Sequence, residues 1–172
     1  MSALLTWAKQ ISSPNFDDRK TKIIDLLVIH NISLPPAEFG NNFIEDFFTN
    51  QLDKNAHPYF KKIYDVRVSA HLLIKRTGEV IQFVPFDKRA WHAGVSNFQG
   101  REKCNDFSIG IELEGTDNLA FEEVQYIKLV KAIKELKQHY PIKNIVGHSD
   151  IAPERKTDPG KYFDWERLDE VR

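Results

Sequence analysis

The chain has 172 residues, of which 41% are hydrophobic and 28% are charged. This is the balance of an ordinary globular protein, and we expect a single domain spanning residues 1–172. The formal net charge of −1 argues against a nucleic-acid or anionic-membrane partner, because both favour a strongly basic surface. No apolar run approaches the roughly 20 residues that span a bilayer, and the first residues lack the features of a secretory signal. These observations predict a cytoplasmic protein.

The chain has one cysteine, Cys104. A single cysteine excludes an internal disulfide and fits a reducing compartment. Cys104 has two interpretations, a nucleophilic thiol or a small packed side chain. We favour the second, because an unpaired cysteine in a protein interior usually behaves as a small hydrophobic residue.

The first half of the chain predicts three strands and a helix. The apolar run Asp25–His30 predicts a buried strand that ends at His30. Phenylalanine and isoleucine recur at helical spacing between Asn41 and Leu52, which indicates a short helix. Val66–Ile74 and Glu79–Val84 predict two strands that form a hairpin around Thr77-Gly78.

The second half predicts two further strands and two helices. Phe107–Leu113 alternates apolar residues with small or charged ones, as a strand does. Phe121–Tyr140 has apolar residues at three- and four-residue steps, which predicts a long helix ending before Pro141. Asn144–Gly147 predicts a brief strand, and Asp164–Val171 a terminal helix. Strands mixed with helices favour an α/β or α+β fold, with a central mixed sheet flanked by helices.

The segment GHSDIAPERKTDPG, from Gly147 to Gly160, concentrates ionisable residues in a predicted loop. Its glycines and its two prolines, Pro153 and Pro159, are incompatible with a regular helix or a central strand. The ionisable residues of this loop are His148, Asp150, Glu154, Arg155, Lys156 and Asp158.

Two of the six histidines, His30 and His148, are predicted where an apolar strand meets a polar loop. Strand ends are where α/β folds collect functional groups, and Asp158 follows His148 closely. Two imidazoles and one carboxylate with a fourth position open to water suit a catalytic Zn²⁺ ion. The same spacing also fits ordinary structural histidines, and from residue types alone we favour that interpretation. We expect His71, within a predicted strand, to be a hydrogen-bonded core residue.

Several segments read together resemble one enzyme family. In chain order they are VIHNISLPP, NAHPYF, RVSAHLLI, VPFDKRAWHAG, CNDFSIGIELEG and GHSDIAPERKTDPG. This set resembles the zinc-dependent N-acetylmuramoyl-L-alanine amidases, and the resemblance extends from about Ser13 to Phe163. The similarity is greatest to the cytosolic type that recycles 1,6-anhydromuramyl peptides. The resemblance implies the amidase fold, which peptidoglycan-recognition domains share.

The resemblance also implies a role for each reactive residue. His30, His148 and Asp158 would be the zinc ligands. Glu112 would be the general base, and Lys156 would stabilise the transition state. Alternation along the predicted strand puts Glu112 and Glu114 on the same side, so the strand pattern alone does not separate them as candidates for the base.

The substrate implied by the resemblance is a small molecule, a muramyl sugar joined through its lactyl group to L-Ala-D-Glu and a third diamino acid. Arginine would bind the peptide carboxylates bidentately, and Trp91 would offer the sugar an apolar face. Lys103 stands where close relatives usually have arginine, which keeps the charge and loses the fork geometry. The candidate substrate-binding residues are Asn31, Tyr59, Arg67, Trp91, Arg101 and Lys103. We expect a monomer.

Two other functions compete with this hypothesis. Members of the wider superfamily that lack zinc ligands act as non-catalytic peptidoglycan-binding modules. Other amidases act on intact cell wall outside the cytoplasm. The complete set of ligands, base and lysine favours an enzyme, and the missing secretory signal favours a cytoplasmic one.

Overall fold

The computed structural model describes residues 3–172, which form short strands and three α-helices. The strands are β1 (Lys9–Gln10), β2 (Phe16–Asp18), β3 (Leu26–Ile32), β4 (Leu72–Ile74), β5 (Val80–Gln82), β6 (Lys88–Ala90), β7 (Asn97–Phe98), β8 (Arg101–Glu102), β9 (Ser108–Glu114) and β10 (Asn144–Gly147). The α-helices are α1 (Phe43–Phe48), α2 (Glu123–His139) and α3 (His148–Ile151). Single 3₁₀ turns form at Pro58–Lys62, Cys104–Asp106 and Trp165–Leu168.

Six of these strands form the central sheet, in the order β1-β5-β4-β9-β3-β10. The pair β4-β5 is antiparallel, and the other four pairs are parallel. The sheet is therefore mixed, as the sequence predicted. Two small antiparallel ribbons, β2-β6 and β7-β8, lie outside it.

The two long strands β3 and β9 lie at the centre of the sheet, and apolar residues pack on both of its faces. Their residues pair in register from Leu26 opposite Ser108 to Ile32 opposite Glu114. Every second side chain, including Ile29 on β3, packs on one face against the buried side of α2. The long helix predicted between Phe121 and Tyr140 is thus confirmed, since its apolar stripe covers this face.

The opposite face of the sheet carries two further apolar clusters, one around α1 and one around Val28. Phe47 and Phe48 of α1 pack with Leu73 of β4, which confirms the predicted helix in a shortened form. Cys104 is buried beside Val28 and is a free thiol, as expected for a packed side chain. Helices on both faces of one mixed sheet form the single domain predicted from the sequence.

The hairpin predicted around Thr77-Gly78 joins β4 to β5. Gly78 has a φ of +82°, a conformation in which a side chain would be strained. Its amide donates to the carbonyl of Lys75 at 2.8 Å, and the Lys75 amide donates to Glu79 at 2.9 Å. Glycine at this position therefore permits the tight turn between the strands.

Three predicted elements differ from the structure. The strand expected over Val66–Ile74 begins only at Leu72, because the preceding amides bond to separate partners and not to one neighbouring strand. The expected terminal helix is one 3₁₀ turn, Trp165–Leu168, whose position is set by apolar residues that pack into the main core. The loop that was predicted to contain no helix opens with the short α3. Within residues 3–172, the helices are too short or too polar to cross a membrane.

Candidate metal centre and active site

The candidate site lies at the sheet edge where the parallel strands β3, β9 and β10 end. His30 is paired with Glu112 across β3 and β9, so both side chains leave the same face of the sheet. His148 begins α3 directly after β10. Parallel strands bring their carboxyl ends to one edge, where open α/β sheets bind ligands. His30 was expected at the end of its strand, but β3 continues two residues further, to Ile32.

Three predicted metal ligands converge at this edge. Nδ1 of His30 lies 3.0 Å from Nδ1 of His148 and 3.0 Å from Oδ2 of Asp158. Nδ1 of His148 lies 3.1 Å from the same carboxylate oxygen. The two imidazoles are almost fully buried, and the carboxylate is 14% exposed. Residues far apart in the chain thus present three ligand atoms to one point.

The other ring nitrogens show which atoms face that point. Nε2 of His148 lies 3.2 Å from the carbonyl oxygen of Ala93, which only accepts, so Nε2 donates and Nδ1 is the atom that faces His30 and Asp158. Burial lowers the pKa of His30 to about 4, so this ring is neutral at pH 7. With the ring hydrogens on Nε2, the two Nδ1 atoms and the carboxylate oxygen of Asp158 would direct three lone pairs to one cation. This donor set matches catalytic zinc sites, so the residues fit a metal ion.

The loop that carries Asp158 is attached to the rest of the site through Asp117. One carboxylate oxygen of Asp117 accepts from the amide of Asn31 at 2.7 Å, and the other accepts from the Thr157 hydroxyl. The Asn31 amide also donates to the carbonyl of Pro159 at 3.0 Å. Both neighbours of Asp158 in the chain are therefore held in place.

A cavity of about 270 Å³ opens over the three ligand atoms. Its lining combines the ionisable groups with an apolar wall. The lining residues are His30, Asn31, Ile32, Phe47, Phe48, Val66, Val68, Ser69, Trp91, His92, Glu112, His148, Lys156 and Asp158. The cavity thus presents the predicted ligands, base and lysine to the same small volume.

Glu112 is a buried carboxyl group in this cavity. Burial raises its pKa well above the usual 4.5, the negative charge of Asp158 adds to this, and Lys156 partly opposes it. Among the described residues, Oε2 of Glu112 has no hydrogen-bond partner. A basic oxygen is therefore left for a molecule that enters the cavity.

Glu114 points to the same side of β9 but has different partners. Its two oxygens accept from the backbone amides of Gly40 at 2.8 Å and Arg76 at 3.0 Å. Its side chain is buried, and it is absent from the cavity lining. The structure thus separates two carboxylates that the strand pattern left equivalent.

Comparison with known proteins assigns the chain to a family. Residues 19–161 match the N-acetylmuramoyl-L-alanine amidase family, Amidase_2. The chain belongs to this amidase family. It is accordingly an amide-bond hydrolase, as the sequence motifs predicted.

The relatives of this amidase support the assignment along nearly its whole length. The 1,6-anhydro-N-acetylmuramyl-L-alanine amidase AmpD of Escherichia coli K12 is 58% identical over 167 residues, which cover 95% of this chain and 91% of that protein. A crystal structure of selenomethionine AmpD superposes with a TM-score of 0.96 at 56% identity, covering 99% of this chain and 97% of that one.

A more distant relative is the amidase AmiD of E. coli. Its structure in complex with the substrate anhydro-N-acetylmuramic acid-L-Ala-D-γ-Glu-L-Lys superposes with a TM-score of 0.62 at 30% identity. The match covers 91% of this chain and 65% of that one. The expected amidase fold is confirmed by both structures.

The amidase cavity includes only two of the six predicted substrate-binding residues, Trp91 and Asn31. Both amide hydrogens of Asn31 are already donated within the protein. Tyr59 packs against the apolar cluster around α1. Arg67 is exposed, and its guanidinium donates to the carbonyl of Tyr64 at 3.2 Å.

The other two predicted residues, Arg101 and Lys103, are absent from the lining of this cavity. Nη1 of Arg101 is 2.9 Å from each carboxylate oxygen of Asp25, and its guanidinium lies 3.7 Å above the ring of Phe107. Lys103 lines a second cavity, of about 620 Å³, together with Arg155. The structure does not bring these two residues to the metal ligands, and their role in binding stays a prediction.

Sequence reasoning assigned no role to His92, although it lies within the motif VPFDKRAWHAG. Its ring lines the cavity and contacts His30, with Nδ1 of His92 3.0 Å from Nε2 of His30. One sequence signal did point here. Gly110 lies within β9, and an isolated glycine in a strand often marks a close approach by another group.

Proposed function

We propose that this amidase is a zinc hydrolase that cleaves the bond between the lactyl group of 1,6-anhydro-N-acetylmuramic acid and the L-alanine of the stem peptide. The metal would be held by His30, His148 and Asp158. The observation that carries the proposal is the convergence of these three ligand atoms, all within 4.8 Å of one another, beside the buried carboxyl group of Glu112. The AmpD relatives, named for activity on the anhydro sugar, support this choice of substrate.

Zn²⁺ bound here would lower the pKa of a water molecule to about 7 and polarise the scissile carbonyl. Glu112 would accept a proton from the attacking water and return it to the departing alanine nitrogen. Such proton transfer contributes about 10²–10⁴-fold to the rate. The raised pKa of Glu112 suits both steps, because a carboxylate that is more basic than usual takes the water proton more readily and can still return it to the more basic alanine nitrogen.

Lys156 would supply the positive charge opposite the carbonyl oxygen as that oxygen becomes negative. It lines the same cavity as Glu112 and the metal ligands, and it is half-buried. A charge in a partly water-excluded site stabilises a developing anion more than it would in open solvent. Trp91, on the cavity wall, would provide an apolar surface for the sugar.

The proposed setting is the recycling of cell-wall fragments in the cytoplasm, with a free muropeptide as the substrate. This part of the proposal rests on the named activity of the AmpD relatives and on the motifs that resemble the cytosolic type of amidase.

The proposal is tested by mass spectrometry of anhydromuramyl-tripeptide after incubation with the protein, with and without a chelator. We expect free tripeptide to be released, the release to stop on chelation, and added zinc to restore it. An unchanged substrate with folded, zinc-loaded protein would contradict the proposal and favour a binding module.

A pair of variants locates the metal in the same assay. Asp158→Ala removes a predicted ligand, so the protein should fold, lose zinc and lose turnover. Glu154→Ala, an exposed residue on the same loop, should leave zinc content and turnover unchanged. Full activity of Asp158→Ala without bound metal would exclude the zinc mechanism.

A further inference from the structure

His92 lies behind the candidate metal ligand His30, on the side away from the other two ligands. Nε2 of His30 is 3.0 Å from Nδ1 of His92, whereas Nδ1 of His30 faces His148 and Asp158. A histidine that binds a metal through one nitrogen usually donates its other N–H to an outer partner, which fixes the ring and its tautomer.

The tautomer of each ring follows from the chain of contacts. If Nδ1 of His30 binds the metal, its hydrogen is on Nε2 and is donated to Nδ1 of His92. The hydrogen of His92 must then be on its own Nε2, which lies 3.1 Å from the hydroxyl of Ser108. Ser108 accepts this hydrogen, so one arrangement of protons satisfies both rings.

The position of the His92 ring depends on the absence of a side chain at Gly110 in β9. Gly110 lies beneath the ring, and a Cβ placed there would be 2.4 Å from Cγ of His92 and 2.6 Å from its Nδ1. These distances are too short for any side chain. The backbone of Gly110 lies outside the left-handed region, so the strand conformation itself does not require glycine. The absent side chain instead makes room for the imidazole.

The backbone next to His92 is fixed by Asn105. Its side-chain oxygen accepts from the amides of His92 at 3.1 Å and Ala93 at 2.8 Å. Ala93 in turn accepts from Nε2 of the second metal histidine, His148. One short segment therefore contacts the outer nitrogens of both imidazoles, through a ring at His30 and a carbonyl at His148.

We propose that His92 is a positioning residue that orients His30 for metal binding, and that Gly110 is the strand position that admits its ring. His92 acts through His30 and has no place in the proton transfers assigned to Glu112. The proposal rests on the proposed function, since it requires His30 to be a zinc ligand.

The first test compares zinc dissociation constants, measured by competition with a chromogenic chelator, for three substitutions. His92→Phe keeps a ring and removes the acceptor, and it should weaken zinc binding about 10–100-fold, the usual effect of losing an outer partner. His92→Asn places an oxygen near the former Nδ1 and should restore binding to within about threefold of wild type. Ser108→Ala removes the hydroxyl that accepts from Nε2 of His92 and should cause a smaller loss of zinc affinity than His92→Phe. Zinc affinity within twofold of wild type for His92→Phe would overturn the proposal.

The second test asks whether Gly110 acts through His92. Gly110→Ala should weaken zinc binding about 10–100-fold in wild type, because the new methyl group displaces the ring. In a His92→Ala background there is no ring to displace, so the same substitution should have almost no further effect. An equal loss of affinity in both backgrounds would show that Gly110 acts through the strand itself and would overturn that part of the proposal.

Two controls separate this inference from the proposed function. Thermal unfolding of each metal-free variant identifies those that fail to fold, and His92→Asn and Ser108→Ala keep the test available if His92→Phe is one of them. His30→Ala should lose zinc binding outright. If it retains wild-type affinity, the metal site itself is wrong. If His30→Ala loses zinc while His92→Phe and Gly110→Ala do not, only the present inference fails.

Discussion

Glu112 and Glu114 differ in their surroundings and not in their chemistry, so the same substitution should affect turnover at Glu112 and stability at Glu114. Glu112→Gln removes the proposed base from the cavity and should lower turnover about 10²–10⁴-fold with zinc still bound. Glu114→Gln keeps one acceptor oxygen but turns its NH2 group towards the other of the two backbone donors, Gly40 or Arg76, and should lower the unfolding free energy by about 1–3 kcal/mol. Steady-state kinetics and urea unfolding measure the two effects. Normal turnover by Glu112→Gln would require another base.

The raised pKa of Glu112 predicts how stability varies with pH in metal-free protein. Burial raises this pKa above 4.5, so the folded state holds a proton that the unfolded state has released. Its contribution to stability is therefore lost as pH rises from about 4.5 towards the folded-state pKa. Glutamine does not titrate.

The corresponding measurement is urea unfolding of wild type and Glu112→Gln with a chelator present, between pH 4 and pH 8. The variant should gain stability relative to wild type as pH rises through that window, and the difference should be level below it. A constant difference across the whole range would mean that Glu112 has its ordinary pKa when folded.

At the scale of elements, the segment around Asp158 owes its position to contacts with distant residues. Asp117, between β9 and α2, accepts hydrogen bonds from Asn31 and Thr157. Asp117→Ala should therefore loosen the loop and weaken zinc binding, by less than the roughly 10–100-fold seen when a direct outer partner of a metal ligand is lost. Competition with a chelator measures this. Zinc affinity equal to that of Glu154→Ala, the exposed control on the same loop, would contradict the prediction.

Elements with a strong hydrophobic periodicity could be predicted from the sequence, and segments held by single hydrogen bonds to distant residues could not. The stripe on α2 is visible in the sequence because the helix buries one continuous face. By contrast, the amides of Ser69 and His71 bond to Trp91 and Gly110, two partners that sequence patterns do not reveal. His71 itself is a buried, hydrogen-bonded residue, as predicted, although it precedes its strand.

At the scale of the whole molecule, the central sheet separates α2 and its apolar cluster from the face that carries the candidate site. Leu129 of α2 is fully buried on the face opposite to His30. Leu129→Ala should cost about 2–5 kcal/mol of unfolding free energy, which corresponds to about 2–4 °C in Tm per kcal/mol for a chain of this size. Zinc affinity of the folded protein at 25 °C should stay within about twofold of wild type.

A matched control for this variant is Ile127→Ala on the same helix. Ile127 is 56% exposed, and its loss should change stability by no more than about 0.5 kcal/mol. Thermal unfolding distinguishes the two variants. A large loss of zinc affinity in folded Leu129→Ala would show that the two faces of the sheet are coupled.

The amino-acid sequence by itself determined the mixed α/β fold and the main elements through hydrophobic periodicity, and the family through its motifs, because both are local properties of the chain. The three proposed metal ligands were predicted only from the resemblance to that family. Only the tertiary structure showed that Glu112 faces the cavity while Glu114 is held by backbone amides, paired Arg101 with Asp25, and placed His92 behind His30, 62 residues away. These outcomes depend on sheet register and on which groups fill the space above each strand. A side chain's hydrogen-bond partners, and hence its chemistry, are set by that packing and not by its neighbours in sequence.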